Sequence, residues 1–256
     1  MDINTTASKD STLMYITSSR NFEKIPSSPI AYWAEQGIFD AFDSGISIGD
    51  IAEPKQGIIP GNVEVFLRLW SEVDYTKIGF GHKQYDDIML YRKKWFPYNK
   101  GGGFRRWYGN LEYIINMENN GYDIKYSGAN NNYRLRDPEL YFQEAISWSK
   151  ISTGILSMRY EPTGTLFDIA GCCIFGLANK TAYILGLVNS SVIMKIISFI
   201  APTLNYEVEA IKKLPVLFEN EDKKYIDDKV NENIGMCKKD WDAFETSWDF
   251  KKHPLV

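Results

Sequence analysis

The chain has 256 residues, of which 44% are hydrophobic and 24% charged, and its formal net charge is −4 at pH 7. These values are typical of a globular protein with one large domain, and they exclude a largely disordered chain. Three cysteines and two histidines give neither a disulfide framework nor a zinc motif, so we expect a cytoplasmic protein without a metal site. The first ten residues lack the apolar run of a secretory signal.

The first predicted elements are a helix and a strand with tight turns. Ser28 is placed to cap a helix, Pro29 suits its first position, and Gly45 follows its end, so residues 29–44 are predicted to be helical. The next segment, "IGDIAEPKQGIIPGN", contains two prolines and three glycines that punctuate a strand and tight turns.

The middle of the chain predicts strands and one helical turn. "LEYIINMENNG" is typical of a strand that ends in an Asn-Gly turn, and "DPEL" predicts a helical turn capped by Asp137. Apolar and polar residues alternate on both sides of Pro162-Thr163-Gly164, which predicts a β-hairpin. These elements indicate mixed α and β structure.

Residues 182–201 have the length and apolarity of a membrane span. Asn189, Ser190 and Ser191 interrupt the middle, however, and Lys195 at the centre of a bilayer would cost roughly 2.5–3.5 kcal/mol. We therefore predict two core helices that meet at a polar break, and no membrane contact.

The tail differs in composition from the rest of the chain. Ile226, Val230 and Ile234 recur every four residues, and Trp241, Phe244 and Trp248 follow at helical spacing. We predict a C-terminal helical segment at 219–256, an antiparallel helical hairpin that packs on a domain formed by residues 1–218.

The segment "KKWFPYNKGGGFRRWYGN" (93–110) has five cations, six aromatic residues and no carboxylate. Its glycine run predicts a mobile loop, and an acid-free cationic run can attract a polyanion even in a slightly acidic protein. Aromatic side chains could stack on an unpaired base. In the alternative interpretation, Trp95, Phe96 and Trp107 belong to the core and the cations are merely solvated.

The sequence contains no complete catalytic constellation. A phosphate-binding P-loop, a dinucleotide-binding glycine motif and a serine nucleophile elbow are all absent, as is the Asn/Asp-Pro-Pro-Tyr/Phe loop of amino-methyltransferases. We therefore expect no enzymatic activity of this chain alone, no catalytic residues and no bound cofactor.

Five strings carry a resemblance to a known family: "KIPSSPIAYW", "AEPKQGIIPGNVEVFLRLWSEV", "KKWFPYNKGGGFRRWYGN", "ISWSKISTGILSMRYEPTGTLFDIAG" and "DWDAFETSWDFKKHPL". In this order they resemble the post-catalytic half of the adenine-specific DNA methyltransferases of BREX phage-defence systems, the PglX family. They are more faintly similar to the specificity domains of type IIG restriction–modification enzymes. The opening pattern of these families, Q-G-x-x-T-G-x-N-x-x-F, is matched from Gln56 to Phe66, except that Pro60 replaces its Thr and Val63 its Asn.

The resemblance implies an α+β target-recognition fold, with a small twisted sheet, hairpins and flanking helices, that binds double-stranded DNA. The methyltransferase domain, with its S-adenosylmethionine, would be a partner that lies outside this chain, and other phage-defence subunits are possible partners. The candidate DNA-binding residues form three groups. They are Lys93, Lys94, Tyr98, Asn99, Lys100, Arg105, Arg106, Trp107 and Asn110; Lys55, Gln56 and Asn62; and Lys150, Ser152 and Arg159.

Two other functions remain open from the sequence. One is a self-contained methyltransferase, which the missing motifs disfavour. The other is a carbohydrate- or protein-interaction module, since exposed Trp, Tyr and Asn side chains also suit sugars.

Overall fold

Ten α-helices and ten β-strands lie in the part of the chain that the computed structural model describes, residues 17–127, 132–152, 154–218 and 220–256. The expected absence of a secretory signal concerns residues 1–10, which lie outside this part. The helices are α1 (Arg20–Lys24), α2 (Gln36–Ser44), α3 (Ile48–Ile51), α4 (Val63–Phe66), α5 (Asp87–Tyr91), α6 (Glu118–Tyr126), α7 (Thr181–Val188), α8 (Ser191–Ile200), α9 (Val208–Lys212) and α10 (Asn220–Trp241). The strands are β1 (Ile46–Ser47), β2 (Glu53–Lys55), β3 (Leu67–Leu69), β4 (Trp95–Asn99), β5 (Tyr113–Asn116), β6 (Ala145–Ser149), β7 (Met158–Glu161), β8 (Leu166–Phe167), β9 (Gly171–Phe175) and β10 (Pro215–Val216).

The described strands form three sheets. Sheet I has the order β2-β9-β6-β7 and is antiparallel throughout, with Ser147 opposite both Cys173 and Arg159. Sheet II has the order β3-β5-β4-β8 and is mixed, because β8 runs parallel to β4. A small third sheet pairs β1 with β10. The predicted α+β class is confirmed.

Sheet I lies between a layer of helices and sheet II. Side chains alternate across a strand, so Ile146 and Ile174 pack with the buried sides of α2, α7, α8 and α9. Cys173 and Phe175 point the other way and pack with Phe96 and Tyr98 of sheet II. Both faces of sheet I are therefore buried, which makes it the centre of the protein.

The predicted helix at residues 29–44 begins later than expected. Ser27 and Ser28 have left-handed backbone angles, with φ of 74° and 47°, so the chain turns there and α2 starts only at Gln36. The predicted strand at "LEYIIN" and the helical turn after Asp137 are confirmed as β5 and as a 3₁₀ turn at Pro138–Leu140. The Asn-Gly turn lies within the range of α6, where Asn119, Asn120 and Gly121 have left-handed backbone angles, and the chain continues from it as helix and not as another strand.

The predicted hairpin across Pro162-Thr163-Gly164 is wrong. The strands on its two sides belong to different sheets, since β7 pairs with β6 whereas β8 pairs with β4. The other edge of β7 is occupied by Trp107, which forms an isolated bridge with Arg159. Because β6 and Trp107 pair with the two edges of β7, no edge is left for a hairpin partner, and the chain crosses at Gly164 to sheet II.

Residues 93–110 do not form one mobile loop. Trp95–Asn99 is the buried strand β4, and Trp95 and Phe96 are core residues with 8% and 0% exposure. The structure therefore supports the core interpretation for these two residues, while Trp107 is partly exposed.

The two predicted core helices at residues 182–201 are confirmed as α7 and α8, which meet at an angle of 80°. Ser190 accepts a hydrogen bond from the Ile193 backbone N–H and so caps α8. Within the described residues no single helix has the length and apolarity to cross a membrane, although this bent pair passes on length and composition together.

The tail folds back on the helical layer. Ile226 and Val230 of α10 face Gly186 of α7, where the missing side chain lets the helices approach closely. Trp241 ends the helix, and residues 242–248 form turns instead of a second helix. Lys238 of α10 stabilises these turns, because its Nζ contacts Asp242 at 2.6 Å and Asp249 at 3.1 Å.

Candidate nucleic-acid interface

One segment from each of the three groups of candidate residues contacts residues 168–171, which we call the junction. The turn after β2 lies beside it, since the Gly57 N–H donates to the Asp168 carbonyl at 3.3 Å. The end of β4 lies on it, because the Asp168 N–H donates to the Asn99 carbonyl at 2.9 Å. The end of β6 completes it, with the Lys150 N–H donating to the Ala170 carbonyl at 2.8 Å.

Asp168 fixes the shape of the junction. Its buried carboxylate accepts hydrogen bonds from the Tyr98 hydroxyl and, at 2.7 Å, from the Ala170 N–H. Burial raises the pKa of Asp168, and these two donors oppose that rise. Tyr98 and Asp168 thus hold the segment from which the candidate loops project.

Residues 100–106, the glycine loop, are pinned to the junction by hydrogen bonds. Ser149 Oγ accepts from the Gly102 N–H at 3.0 Å and donates to the Gly102 carbonyl at 2.8 Å. Asn110 Nδ2 donates to the Gly103 carbonyl, and Asn99 Oδ1 accepts from the Gly101 N–H, both at 2.9 Å. Asn99 and Asn110 are buried and shape this loop, so they do not present amides at the surface.

The cations of the glycine loop differ in their partners. Arg105 lies over the Trp241 ring, 4.8 Å from its centroid, and its guanidinium is 3.4 Å from the Asp240 carboxylate. Lys100 lies over Tyr113 and Arg106 near Phe104, and neither forms an ion pair with a described residue. Lys100 and Arg106 are therefore free to bind an anion, whereas Arg105 anchors the tail.

Lys93 and Lys94 lie apart from the glycine loop. They precede β4 whereas Lys100 follows it, and an extended segment of that length separates them by roughly 20 Å. Lys93 Nζ donates to the Thr76 carbonyl at 2.6 Å, and Lys94 Nζ is 3.8 Å from Glu118. The acid-free run in the sequence is thus split into two surfaces.

Two further candidates are held inside the protein. Arg159 on β7 is fully buried between the sheets, and its guanidinium nitrogens make no hydrogen bond with the described residues. Tyr98 is also fully buried. The backbone of Trp107 is used by β7, with its N–H donating to the Met158 carbonyl at 3.0 Å and its carbonyl accepting from the Tyr160 N–H at 2.8 Å.

The second and third candidate groups meet at Glu207. Its Oε2 accepts from Gln56 Nε2 at 3.3 Å and lies 3.1 Å from Lys150 Nζ. A groove of about 330 Å³, which we call the Glu207 groove, opens here. Its lining residues are Pro54, Lys55, Gln56, Arg136, Asp137, Glu207, Val208, Glu209 and Lys212.

Asn62 and Ser152 have local roles. Asn62 caps α4 by accepting from the Val65 N–H at 3.2 Å. Ser152 Oγ accepts from the Gly154 N–H at 3.2 Å.

A second groove of about 370 Å³ adjoins the first and shares Lys212 with it. Lys24 and Lys213 also line this lysine groove, with Asp50 as its acidic residue. Lys213 Nζ bonds the Ser27 hydroxyl at 3.0 Å and forms no ion pair with a described residue. Reasoning from sequence missed these lysines, Arg136 and Glu207; only the adjacent lysines in "AIKKLP" mark a local cationic site.

The described residues offer no group of three His, Cys, Asp or Glu side chains that could hold a metal. The adjacent cysteines of β9 are buried, and burial raises the pKa of Cys172 to about 12. A thiol with this pKa is almost entirely protonated at neutral pH and is a weak nucleophile.

Comparison with known proteins identifies the family. No protein-family model matches the chain. The adenine-specific methyltransferase BrxX of Escherichia coli O9:H4 (strain HS) is 39% identical over 244 residues, which make up 94% of this chain and 19% of that protein. In sequence, the chain corresponds to a part of the BREX adenine-specific methyltransferases. The adenine-specific methyltransferase PglX of Lacticaseibacillus casei (strain Zhang) is 36% identical over 252 residues, 95% of this chain and 20% of that protein.

The match confirms the resemblance that the sequence motifs predict, and it covers nearly the whole chain. The chain spans about a fifth of the length of the curated relatives it matches.

Proposed function

We propose that this chain recognises duplex DNA at a specific sequence for an adenine-specific DNA methyltransferase of a BREX phage-defence system. The observation that carries the proposal is its similarity, over nearly its whole length, to two adenine-specific methyltransferases. An enzyme that methylates adenine at particular sites needs a surface that reads the neighbouring bases, besides the part that transfers the methyl group.

The arrangement of cations supports this role. Lys100 and Arg106, which form no ion pair with a described residue, project from segments that meet at the junction, where hydrogen bonds hold the backbone in place. Lys55 and Lys150 lie beside them but pair with Asp137 and Glu207. Cations on a rigid frame can contact phosphates with little loss of conformational entropy on binding. We place the DNA-binding face here, and we assign the buried Tyr98, Asn99, Asn110 and Arg159 to the framework beneath it.

We further propose that methyl transfer and S-adenosylmethionine binding belong to the part of the relatives that this chain does not cover. Residues 1–218 would then be the recognition domain and residues 219–256 a supporting segment. Binding of S-adenosylmethionine to this chain alone, measured by isothermal titration calorimetry, would contradict this division.

The test is the salt dependence of duplex binding by the 256-residue chain. Each phosphate contact contributes about −0.9 to the slope of log K against log salt concentration, so contacts from Lys100 and Arg106, the two cations without an ion pair to a described residue, predict a slope of about −2. Fluorescence anisotropy with a labelled duplex measures the slope. Absence of duplex binding at low salt would refute the proposal.

Two neighbouring arginines provide a matched pair of variants. Arg106 forms no ion pair with a described residue, so Arg106→Ala should weaken binding to every duplex and reduce the slope by about 1. Arg105 is already held by Asp240 and Trp241, so Arg105→Ala should change the slope less. Equal slopes for wild type and Arg106→Ala would remove the glycine loop from the interface.

A further inference from the structure

We infer that Gln56 and Glu207 form a base-reading pair, specific for a base that presents an exocyclic amino group in the major groove of DNA. The inference rests on the proposed function and assigns specificity to one site within it. It follows from three features of the Glu207 groove: the geometry of the pair, the cations around it and its hydrogen-bonding chemistry.

The Glu207 carboxylate is oriented by the protein. Gln56 Nε2 at 3.3 Å and Lys150 Nζ at 3.1 Å both contact Oε2. No hydrogen bond to Oε1 occurs in the described part of the chain, and the side chain is 49% exposed. Glu207 precedes α9 but does not cap it with its side chain. The carboxylate therefore offers one fixed acceptor oxygen to the groove, and the helix does not depend on it.

The surrounding cations make a carboxylate compatible with DNA. An isolated carboxylate would be repelled by the phosphates, but Lys55, Lys150 and Arg136 lie at or beside the same groove, where the two other carboxylates are paired, Asp137 with Lys55 at 3.5 Å and Glu209 with Lys212 at 2.7 Å. The lysine groove continues from it through Lys212; Lys213 there forms no ion pair with a described residue, whereas Lys24 pairs with Asp43 and Lys212 with Glu209.

The chemistry of the pair selects the base. With one amide N–H of Gln56 donated to Glu207, the pair presents two acceptors, Gln56 Oε1 and Glu207 Oε1, and one donor, the second N–H of Gln56 Nε2. In the major groove, cytosine N4 and adenine N6 are the donors, whereas guanine O6 and thymine O4 are acceptors. Glu207 Oε1 can only accept, so a contact through this oxygen favours cytosine or adenine over guanine or thymine at that position.

The experiment is selection from duplexes with a randomised core, using the 256-residue chain, followed by sequencing of the bound fraction. Glu207→Gln keeps the size of the side chain but adds N–H donors. At one position we expect the preference for an amino-bearing base to fall on the order of tenfold. Total affinity for the pooled library should change little, and thermal melting verifies the fold of each variant.

Glu209→Gln is the matched control. Glu209 lies in the same groove but pairs with Lys212 at 2.7 Å, so this variant loses the same charge without touching Gln56. An unchanged preference in Glu207→Gln, or the same change in Glu209→Gln, would overturn the inference while leaving the proposed function intact. Failure of the wild-type chain to bind any duplex would instead count against the proposed function.

Discussion

At the scale of single residues, burial separates side chains of the same type into different roles. Arg106 is partly exposed without an ion pair to a described residue, Arg105 is held by Asp240 and Trp241, and Arg159 is fully buried between the sheets. A guanidinium on the surface can bind a phosphate, whereas a buried one must be compensated by the protein. Chemical type alone therefore does not define the interface.

Glu161 is the carboxylate two residues after Arg159, on the same buried face of β7. It is 3% exposed, and burial raises its pKa to about 7, although the hydroxyls of Ser147 and Thr165 and the charge of Arg159 oppose the rise. Because the pKa in the folded state exceeds the ordinary value of 4.5, the folded protein binds more protons than the unfolded chain between these two pH values.

Folding stability should therefore decrease as the pH rises from about 4.5 to about 7. The pKa shift corresponds to at most about 3 kcal/mol. We expect Glu161→Gln to remove most of this dependence, since the amide does not titrate. Urea unfolding at several pH values between about 4.5 and 7 measures the pH dependence of the free energy of unfolding. Glu245→Gln, at an exposed position, is the control. Equal pH slopes in wild type and Glu161→Gln would contradict the assignment.

At the scale of elements, the junction depends on close backbone approach. The turn after β2 passes so near β8 that a Cβ on Gly57 would lie 2.0 Å from the Phe167 carbonyl oxygen. Backbone cannot yield as a flexible side chain can, so only glycine fits without moving one of the two segments.

Gly57→Ala should therefore destabilise the protein by roughly 1–3 kcal/mol, the usual cost of overpacking, and should also weaken DNA binding because the junction shifts. Gly37→Ala is the control, since Gly37 lies in α2 with no atom within 4 Å of its added Cβ. That change should be neutral or stabilising by up to about 1 kcal/mol. Thermal unfolding of both variants measures this difference in stability. Similar melting temperatures for the two would show that the junction tolerates a side chain.

At the scale of the whole molecule, the tail packs on the core and does not extend as a free appendage. Trp241 is 5% exposed and packs with Tyr108 and Leu111, which follow the glycine loop. Through Asp240 and Trp241 the end of α10 also holds Arg105. The tail therefore supports the loop from the side.

Trp241→Ala should lower the free energy of unfolding by about 3–5 kcal/mol, the typical loss for a buried tryptophan. Phe244 is 45% exposed, so Phe244→Ala should cost much less. Denaturant unfolding compares the two, and the salt slope of DNA binding should stay close to that of wild type. If Trp241→Ala unfolded like wild type, the packing of the tail would not contribute to stability.

The sequence alone is sufficient to predict the elements whose formation depends on residues close together in the chain. The break at Asn189-Ser190-Ser191 predicts two helices, because a serine can cap the second helix and a polar run interrupts the first. The four-residue spacing of Ile226, Val230 and Ile234 likewise predicts α10. The long strings shared with the methyltransferase family also suffice to reveal the homology.

Tertiary structure alone decided which residues are exposed and which meet. The cations and aromatic residues around β4 predict an exposed loop from the sequence. Pairing of β4 with β5 and β8 nevertheless buries the strand. Lys55 and Lys150 are distant in sequence and come to the same sheet only because β2 and β6 flank β9. Glu207 carries no local signal, since its role arises from the two donors that long-range packing brings to one carboxylate oxygen.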